Sequence, residues 1–570
     1  MTTLVAQPPR TRDAGERASA VATAHQRLML LMLLFMAGAL VLVGKVAVMG
    51  VFSGDAQKRL TDSALLRGDI LDRNGQVLAR TIEAWSIGIH TDRLLTSPDQ
   101  LAEKLAQLMP EKTAQEYLAV IRARQASRTP FTYLRRRALP ELVAAVNALG
   151  EPGMAYAREP ERLYPQTTLA AHVLGYTDLS GHGITGMERV LNNELGGSSG
   201  RGKPVVLSID SRVQAAIESE FYAAMVDQHA VGAGGIVLDV HTGEIVAMVS
   251  LPVFNPNKPQ GSRDDPQWRN SMTQSVYELG STFKPITVAN AMDTGVVTSM
   301  TKRYDATAPL RVGGYTIHDD EPAGRWYNVP EMLAHSSNIV MARIADELGQ
   351  ARTASMFKRL HFDARPDIEL KERARPIWPT PTYWGRTTVM TIGYGHGMAV
   401  TPLHLATAYA ALVNGGIWRP STLFKIDPRK VPKGSRVFTQ ATSDRMRQLL
   451  RLIVTDGTGR SANISGLRIG GKTGTAEKAS EGGYAHHSIV ATFAAAFPMD
   501  APRYVVIGML DEPKGSAISH GQRTAAWTVA PAVGRTISRI GPMLGIYPDT
   551  GRDIDISELT PLLWKAKGDN

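Results

Sequence analysis

Gly280-Ser281-Thr282-Phe283-Lys284-Pro285-Ile286 is the stretch from which the rest of this 570-residue chain is read. Residues three apart on a helix share a face, so Lys284 lies on the same side as Ser281. A serine hydroxyl is a weak nucleophile near neutral pH and needs such a base. Gly280 before the serine and Pro285 after it predict a helix beginning near Ser281, because proline is tolerated in a first turn and not deeper. A helix start also offers free backbone N–H groups and the positive end of the helix dipole, which favour the oxyanion formed in acyl transfer. Two strings downstream, Ser336-Ser337-Asn338 and Lys472-Thr473-Gly474-Thr475, supply further hydroxyl, amide and ammonium groups.

Order and spacing set these strings apart from their duplicates. Ser-x-x-Lys recurs at Ser299 to Lys302, predicted to be a loop, and at Ser355 to Lys358, predicted to be an amphipathic helix; Ser461-Ala462-Asn463 repeats Ser-x-Asn. Lys-Thr-Gly occurs once, and only Ser281 has a Ser-x-Asn 55 residues downstream with Lys-Thr-Gly-Thr 136 residues beyond that. The trio resembles the motif set of class A β-lactamases and penicillin-binding proteins, with Ser337 where that set has Asp. From about residue 28 onward the chain resembles a class B penicillin-binding protein, a D,D-transpeptidase of peptidoglycan synthesis.

Composition bounds the alternatives. With 43% apolar and 20% charged residues the chain is of ordinary globular balance, and its length accommodates two or more domains. Zero cysteines exclude disulfides, cysteine-ligated zinc and thiol catalysis. The net charge of +10 is accompanied by no helix-turn-helix, zinc or RNA-binding signature, so no nucleic-acid partner is expected. A basic surface suits a protein facing anionic lipid or wall polymer.

Leu28 to Phe52 is apolar except for Lys45. Twenty-five helical residues span roughly 37 Å, enough to cross a bilayer core. Ala37-Gly38-Ala39 imitates a signal-peptidase site, but the apolar run continues past it, which predicts an uncleaved anchor. Arg10, Arg12, Arg17 and Arg27 precede the span, against Lys58, Arg59 and Arg67 after it, a slight bias toward a cytoplasmic amino terminus.

Arg67 to Ala79 reads as a hairpin turning at Asn74-Gly75. By resemblance it is the first box of a non-catalytic pedestal, whose later boxes are Arg162-Leu163-Tyr164-Pro165, Ala171-His172-Val173-Leu174-Gly175-Tyr176 and Gly183-Ile184-Thr185-Gly186-Met187-Glu188. Arg67, Arg73 and Glu188 are expected to hold the pedestal together. Leu101 to Leu108 and Ala114 to Arg124 have helical spacing, Gly196 to Pro204 reads as a loop, and Ser211 to Met225 as a helix leading into the catalytic domain. Strands are predicted at Gly235 to Val240, Glu244 to Ser250, Leu467 to Lys472, Ser488 to Phe497 and Tyr504 to Leu510, with a last helix from Arg523 to Ile540 interrupted or restarted at Pro531.

Five strands split by a helical middle predict an α+β domain with a five-stranded antiparallel sheet flanked by helices. This matches the penicillin-recognising (β-lactamase/transpeptidase-like) fold, preceded by one transmembrane helix and an elongated mixed α/β pedestal. The expected division is 1–27 cytoplasmic tail, 28–52 anchor, 53–222 pedestal of the dimerisation type, 223–545 transpeptidase domain and 546–570 C-terminal tail.

The resemblance implies a role for each site residue. Ser281 is the nucleophile that forms an acyl-enzyme on the penultimate D-Ala of a stem peptide, and Lys284 is its base. A lysine acts as a base only when neutral, which requires desolvation or a nearby positive charge to lower its pKa, and Lys472 is a candidate source of that charge. Ser336 relays the proton to the leaving D-Ala, and Asn338 bonds the substrate amide and Lys284. Lys472 to Thr475 is expected on a sheet edge where an extended peptide adds as a strand, with Gly474 admitting its backbone. Thr473 and Thr475 bind the carboxylate of substrate or β-lactam, and the Ser281 and Thr475 N–H groups form the oxyanion hole.

Leu279 stands where the family usually has proline, which removes no chemical group. No cofactor is implied. His-Glu-x-x-His is absent, and structural or surface roles are expected for His335, His396, His486 and His487 rather than metal binding. Tyr394, in Gly393-Tyr394-Gly395, together with Ala491 to Pro498 and Pro502 through Lys514, resembles the septal, division-specific subgroup, with Tyr394 as a substrate-binding residue.

The resemblance further implies peptidoglycan stem peptides and β-lactams as ligands, a periplasmic catalytic domain on the bacterial inner membrane, and a partner glycosyltransferase of the shape-elongation-division-sporulation (SEDS) class with other divisome proteins. Competing readings are an elongation-type transpeptidase, a carboxypeptidase or β-lactamase using water as acceptor, and a β-lactam-sensing receptor or division scaffold without turnover. A bifunctional synthase is disfavoured, because residues 53–205 carry the pedestal boxes and no recognisable glycosyltransferase segment.

Overall fold

The computed structural model describes residues 22, 25–45, 67–196, 202–262, 264–380, 382, 384–480 and 483–564, without side chains for 479, 480 and 483–487. Arg10, Arg12, Arg17, Lys58, Arg59, the last part of the predicted span (46–52), residues 197–201 of the predicted loop and the side chains of His486 and His487 lie outside the described residues. Two compact units divide at Leu65 and Leu66. In the first, His25–Lys45 forms one helix of 21 residues, none of it buried against protein, long and apolar enough to cross a membrane.

The second unit begins with the hairpin read from Asn74-Gly75: Ile70–Leu71 pairs antiparallel with Val77–Ile82. Asp72 shapes the turn by accepting the Asn74 and Gln76 N–H groups at 2.8 Å each, and Gly75 supplies the required positive φ of 86°. Glu161–Leu163 and Val205–Val206 complete a four-stranded sheet. A second sheet has Trp85–His90 between Phe131–Ala138 and Met154–Arg158, covered by helices Pro98–Leu108 and Ala114–Gln125.

Arg67 and Arg162 both bond Glu188, which is completely buried, with the nearest N–O distances 2.6 and 2.7 Å. These groups hold the pedestal together as expected. Arg73 does not: it reaches Glu244, 3.5 Å away in the strand-bearing domain. Asp72 likewise bonds Ser211 Oγ at 2.7 Å, at the start of the helix entering that domain. The hairpin is therefore a joint as well as a pedestal element.

In the catalytic part, β1 (Gly232–Asp239), β2 (Ile245–Leu251), β3 (Gly470–Ser480), β4 (Gly483–Phe497) and β5 (Tyr504–Asp511) form one antiparallel sheet in the order β3-β4-β5-β1-β2. Side chains alternate across it as the period of two requires. Phe493, Ala495 and Phe497 join a core with α1 (Ser211–Asp227) and a carboxy-terminal helix at Val529–Met543. Ala494 and Ala496 join the core containing Leu405, Ala408 and Leu412 from the helix Pro402–Val413.

Two expected boundaries are corrected. The strand predicted at Leu467 to Lys472 runs from Gly470 to Ser480, because Lys472 to Thr475 is itself in the ladder, paired with Ala494 to Ala491. The last helix starts at Val529, not Arg523, and Pro531 is its third residue. No interruption follows, since a first-turn N–H has no intrahelical acceptor to lose.

Candidate active site

The nucleophile turn and its helix are built as the sequence predicts. Gly280–Phe283 is a single 3₁₀ turn that continues into α2 (Lys284–Asp293), with Pro285 in its first turn. Tyr409 OH donates to Thr282 O at 2.8 Å and Thr282 Oγ1 donates to Leu279 O at 2.8 Å, pinning the turn from below. Gly280 has φ +53° and its N–H donates to Gly395 O at 3.3 Å. A Cβ on Gly395 would lie 2.2 Å from Gly280 O, so glycine is required where these loops touch.

The second string sits between two helices. α3 (Val329–His335) ends at Ser336, whose φ of +62° is left-handed, and α4 (Asn338–Arg359) starts two residues later with Ser337 as its N-cap. The tight reversal presents Ser336 and Asn338 to the same amine. Lys284 Nζ donates to Ser336 Oγ at 3.1 Å, to Asn338 Oδ1 at 2.8 Å and to Ser336 O. Lys472 Nζ, from edge strand β3, donates to Ser336 Oγ at 2.9 Å and Thr473 O at 3.1 Å.

Two buried lysines thus meet at one hydroxyl. Burial pulls the Lys284 ammonium down to about 7, against the opposing pull of Asp319 and Asp320. Of the two means expected to lower Lys284, burial is the one that acts; Lys472 is not among the causes. Lys472 is held well below the ordinary lysine range, first by burial and then by Lys284. A charged Lys284 has three N–H donors and three acceptors. Loss of one proton releases one acceptor and leaves a lone pair, the form needed to take the Ser281 proton.

The remaining predicted residues occupy the walls. Gly474 faces the nucleophile turn: a Cβ there would lie 2.5 Å from Leu279 O and 2.8 Å from Thr282 Cγ2. Its smallness admits that turn. Thr473 Oγ1 bonds Thr458 Oγ1 at 2.9 Å, and Thr475 Oγ1 accepts the Ala525 N–H at 3.1 Å.

Tyr394 is only 8% exposed, its hydroxyl pushed up to about 12 by burial, and its ring lies 5.2 Å from that of His396. His335 stacks on Tyr327, with ring centroids 5.5 Å apart, and is not placed as a base. Among the described residues no group of three or more His, Asp or Glu side chains is arranged to hold a metal ion.

Sequence reasoning missed Asp319. Its carboxylate accepts Ser337 Oγ and the Asn338 N–H, both at 2.6 Å, and the Ile339 N–H at 2.9 Å; the neighbouring His318 O accepts Asn338 Nδ2 at 3.0 Å. It anchors the first turn of α4 and orients Asn338, yet follows a short hairpin with no periodicity or spacing to mark it. Asp319→Asn is expected to slow acylation of Ser281 roughly ten-fold, since hydrogen bonds to a charged group are worth about 1.5–3 kcal/mol. Stopped-flow acylation measures it; an unchanged rate would mean that Asn338 is held by other contacts.

The family described as penicillin binding protein transpeptidase domain matches residues 233–533, and penicillin-binding protein dimerisation domain matches residues 63–215. The chain is 40% identical over 498 residues to the probable peptidoglycan D,D-transpeptidase FtsI of Caulobacter vibrioides, covering 85% of this chain and 82% of that one. It is 28% identical over 547 residues to the peptidoglycan D,D-transpeptidase FtsI of Escherichia coli, covering 89% and 90%. A crystal structure of penicillin binding protein 3 from Mycobacterium tuberculosis with aztreonam superposes with a TM-score of 0.67 at 25% identity, covering 85% of this chain and 98% of that one.

Proposed function

The chain belongs to the penicillin-binding proteins, in the class B arrangement of a dimerisation domain ahead of a transpeptidase domain, and from that premise we propose that it cross-links peptidoglycan stem peptides in the division septum. It is a serine-type D,D-transpeptidase, and β-lactams inhibit it by acylating the same serine. The observation that carries this reading is Ser336 Oγ held between Lys284 Nζ and Lys472 Nζ, with Asn338 on the same amine.

Neutral Lys284 takes the Ser281 proton as Oγ attacks the carbonyl of the penultimate D-Ala. Backbone N–H groups of Ser281 and Thr475 receive the oxyanion, and Thr473 and Thr475 hold the terminal carboxylate. The proton passes through Ser336 to the departing D-Ala. An acceptor amine then attacks the ester, forming the new amide as the Ser281 C–O bond breaks and Oγ regains a proton. A hydrolase would need a carboxylate that activates water; Asp319 is committed to Ser337, Asn338 and Ile339, and the transfer assay below separates the two reactions.

One apolar helix anchors the chain to a membrane. The periplasmic orientation, septal placement, division into 1–27, 28–52, 53–222, 223–545 and 546–570, and pairing with a SEDS-class glycosyltransferase complete the proposal. Purified protein given a stem peptide ending in D-Ala-D-Ala and an acceptor amine is expected to release D-Ala and form the transferred product. Release of D-Ala with hydrolysed product alone overturns transfer in favour of the carboxypeptidase reading. Depletion in cells is expected to give filaments with blocked septa; rounded cells would favour the elongation type.

A further inference from the structure

Ser336 is left-handed at φ +62°, a conformation a serine keeps only when its surroundings enforce it. Asp319 holds the adjoining Ser337 and the first turn of α4. On the other side the restraint comes from the far end of the chain. The seven-residue helix α3 opens with a capping box in which Asn328 Oδ1 accepts the Glu331 N–H at 2.9 Å and Glu331 Oε2 accepts the Asn328 N–H at 3.0 Å. The other halves of both side chains are taken by residues 233 and 234 positions away: Asn328 Nδ2 donates to Leu562 O at 2.7 Å, and the Trp564 N–H donates to Glu331 Oε1 at 3.0 Å.

A line of rings continues toward the site. The Arg325 guanidinium lies 4.7 Å from the Trp564 ring and 4.5 Å from the Tyr327 ring, and Tyr327 stacks on His335, the residue before Ser336. Arg325 also bonds Glu331 Oε1 at 2.7 Å. The tail reaches this place along the helix Gln440–Asp456, where Arg451 pairs with Asp553 at 2.7 Å, Gln448 Nε2 donates to Asp555 O at 2.9 Å and Arg445 pairs with Glu558 at 3.3 Å. Leu559, 1% exposed, is its apolar anchor. The tail residues Asp553 to Trp564 lie beyond residue 533, where the transpeptidase family match ends.

We propose that residues 559–564 form a strap that positions Ser336 for proton relay, with Leu562 and Trp564 as positioning residues that touch no substrate. The proposal rests on the reading of Ser281 and Ser336 as an acyl-transfer site. Its test uses the full membrane-anchored chain and a fluorescent penicillin, separating noncovalent affinity from the acylation rate constant at saturation. Trp564→Ala is suited to this because the ring is 60% exposed and fills no core.

Trp564→Ala is expected to lower the acylation rate constant about three- to ten-fold with affinity unchanged, and Trp564→Phe to restore most of it by replacing the ring over Arg325. A chain ending after Leu559 is expected to lose ten-fold or more. Wild-type acylation rates in Trp564→Ala and in the shortened chain would overturn the strap, as would weakened affinity with an unchanged rate constant. Failure of the parent reading has a different signature: equal labelling of wild type and Ser281→Ala.

Discussion

Ser281→Ala is expected to abolish covalent labelling by a fluorescent penicillin and all transfer from stem peptides, leaving no activity above roughly a 10⁻⁴ fraction of wild type. The size follows from the role: without the nucleophile no acyl-enzyme can form, and binding contacts alone retain only a small residue of catalysis. The fold is expected to survive, because Ser281 is partly exposed and the turn is held by Tyr409 to Thr282 O and by Thr282 to Leu279 O, neither of which involves its hydroxyl. Intact-protein mass spectrometry and thermal melting check both halves. An adduct of equal yield on the alanine variant would place the nucleophile elsewhere.

Lys284→Met is expected to lower acylation by about 10²–10⁴-fold, the range over which a positioned general base contributes. The pH profile gives a second, independent check. With Lys284 brought down to about 7 by burial, the wild-type rate should rise about ten-fold per pH unit below that value and level off above it, whereas the methionine variant should lose this limb. Between about pH 7 and the ordinary lysine range the unfolded chain holds a proton that the folded one has released, so wild type should gain stability relative to Lys284→Met as the pH rises through that window. A wild-type profile flat from pH 5 to 9 would show that Lys284 is not the titrating base.

The two lysines are placed differently. Both amines bond Ser336 Oγ, but only Lys284 bonds Asn338 and stands one turn from Ser281 on the same helix start. Lys472 comes from the edge strand, where it faces Ser336 and Thr473.

Much of this was legible in the residues because the local rules are strong. The turn-to-helix start at Ser281 follows from Gly280 and Pro285, the pedestal hairpin from Asn74-Gly75, and the five strands from their β-rich runs. Errors arose where a side chain's direction or a partner's distance mattered. Arg73 and Glu188 were both expected to hold the pedestal together, yet one pairs across to Glu244 and the other is buried within the pedestal.

By itself, then, the sequence determined the fold class, the chemistry of the three strings and their order, because these rest on local propensity and on functional groups that each residue carries wherever it lies. Only the tertiary structure decided that burial rather than a neighbouring ammonium lowers Lys284, that Asp319 orients Asn338, and that the last residues of the strap complete the capping box ahead of Ser336. Desolvation, a left-handed serine and a contact across more than two hundred residues are properties of assembled space, and no spacing along the chain encodes them.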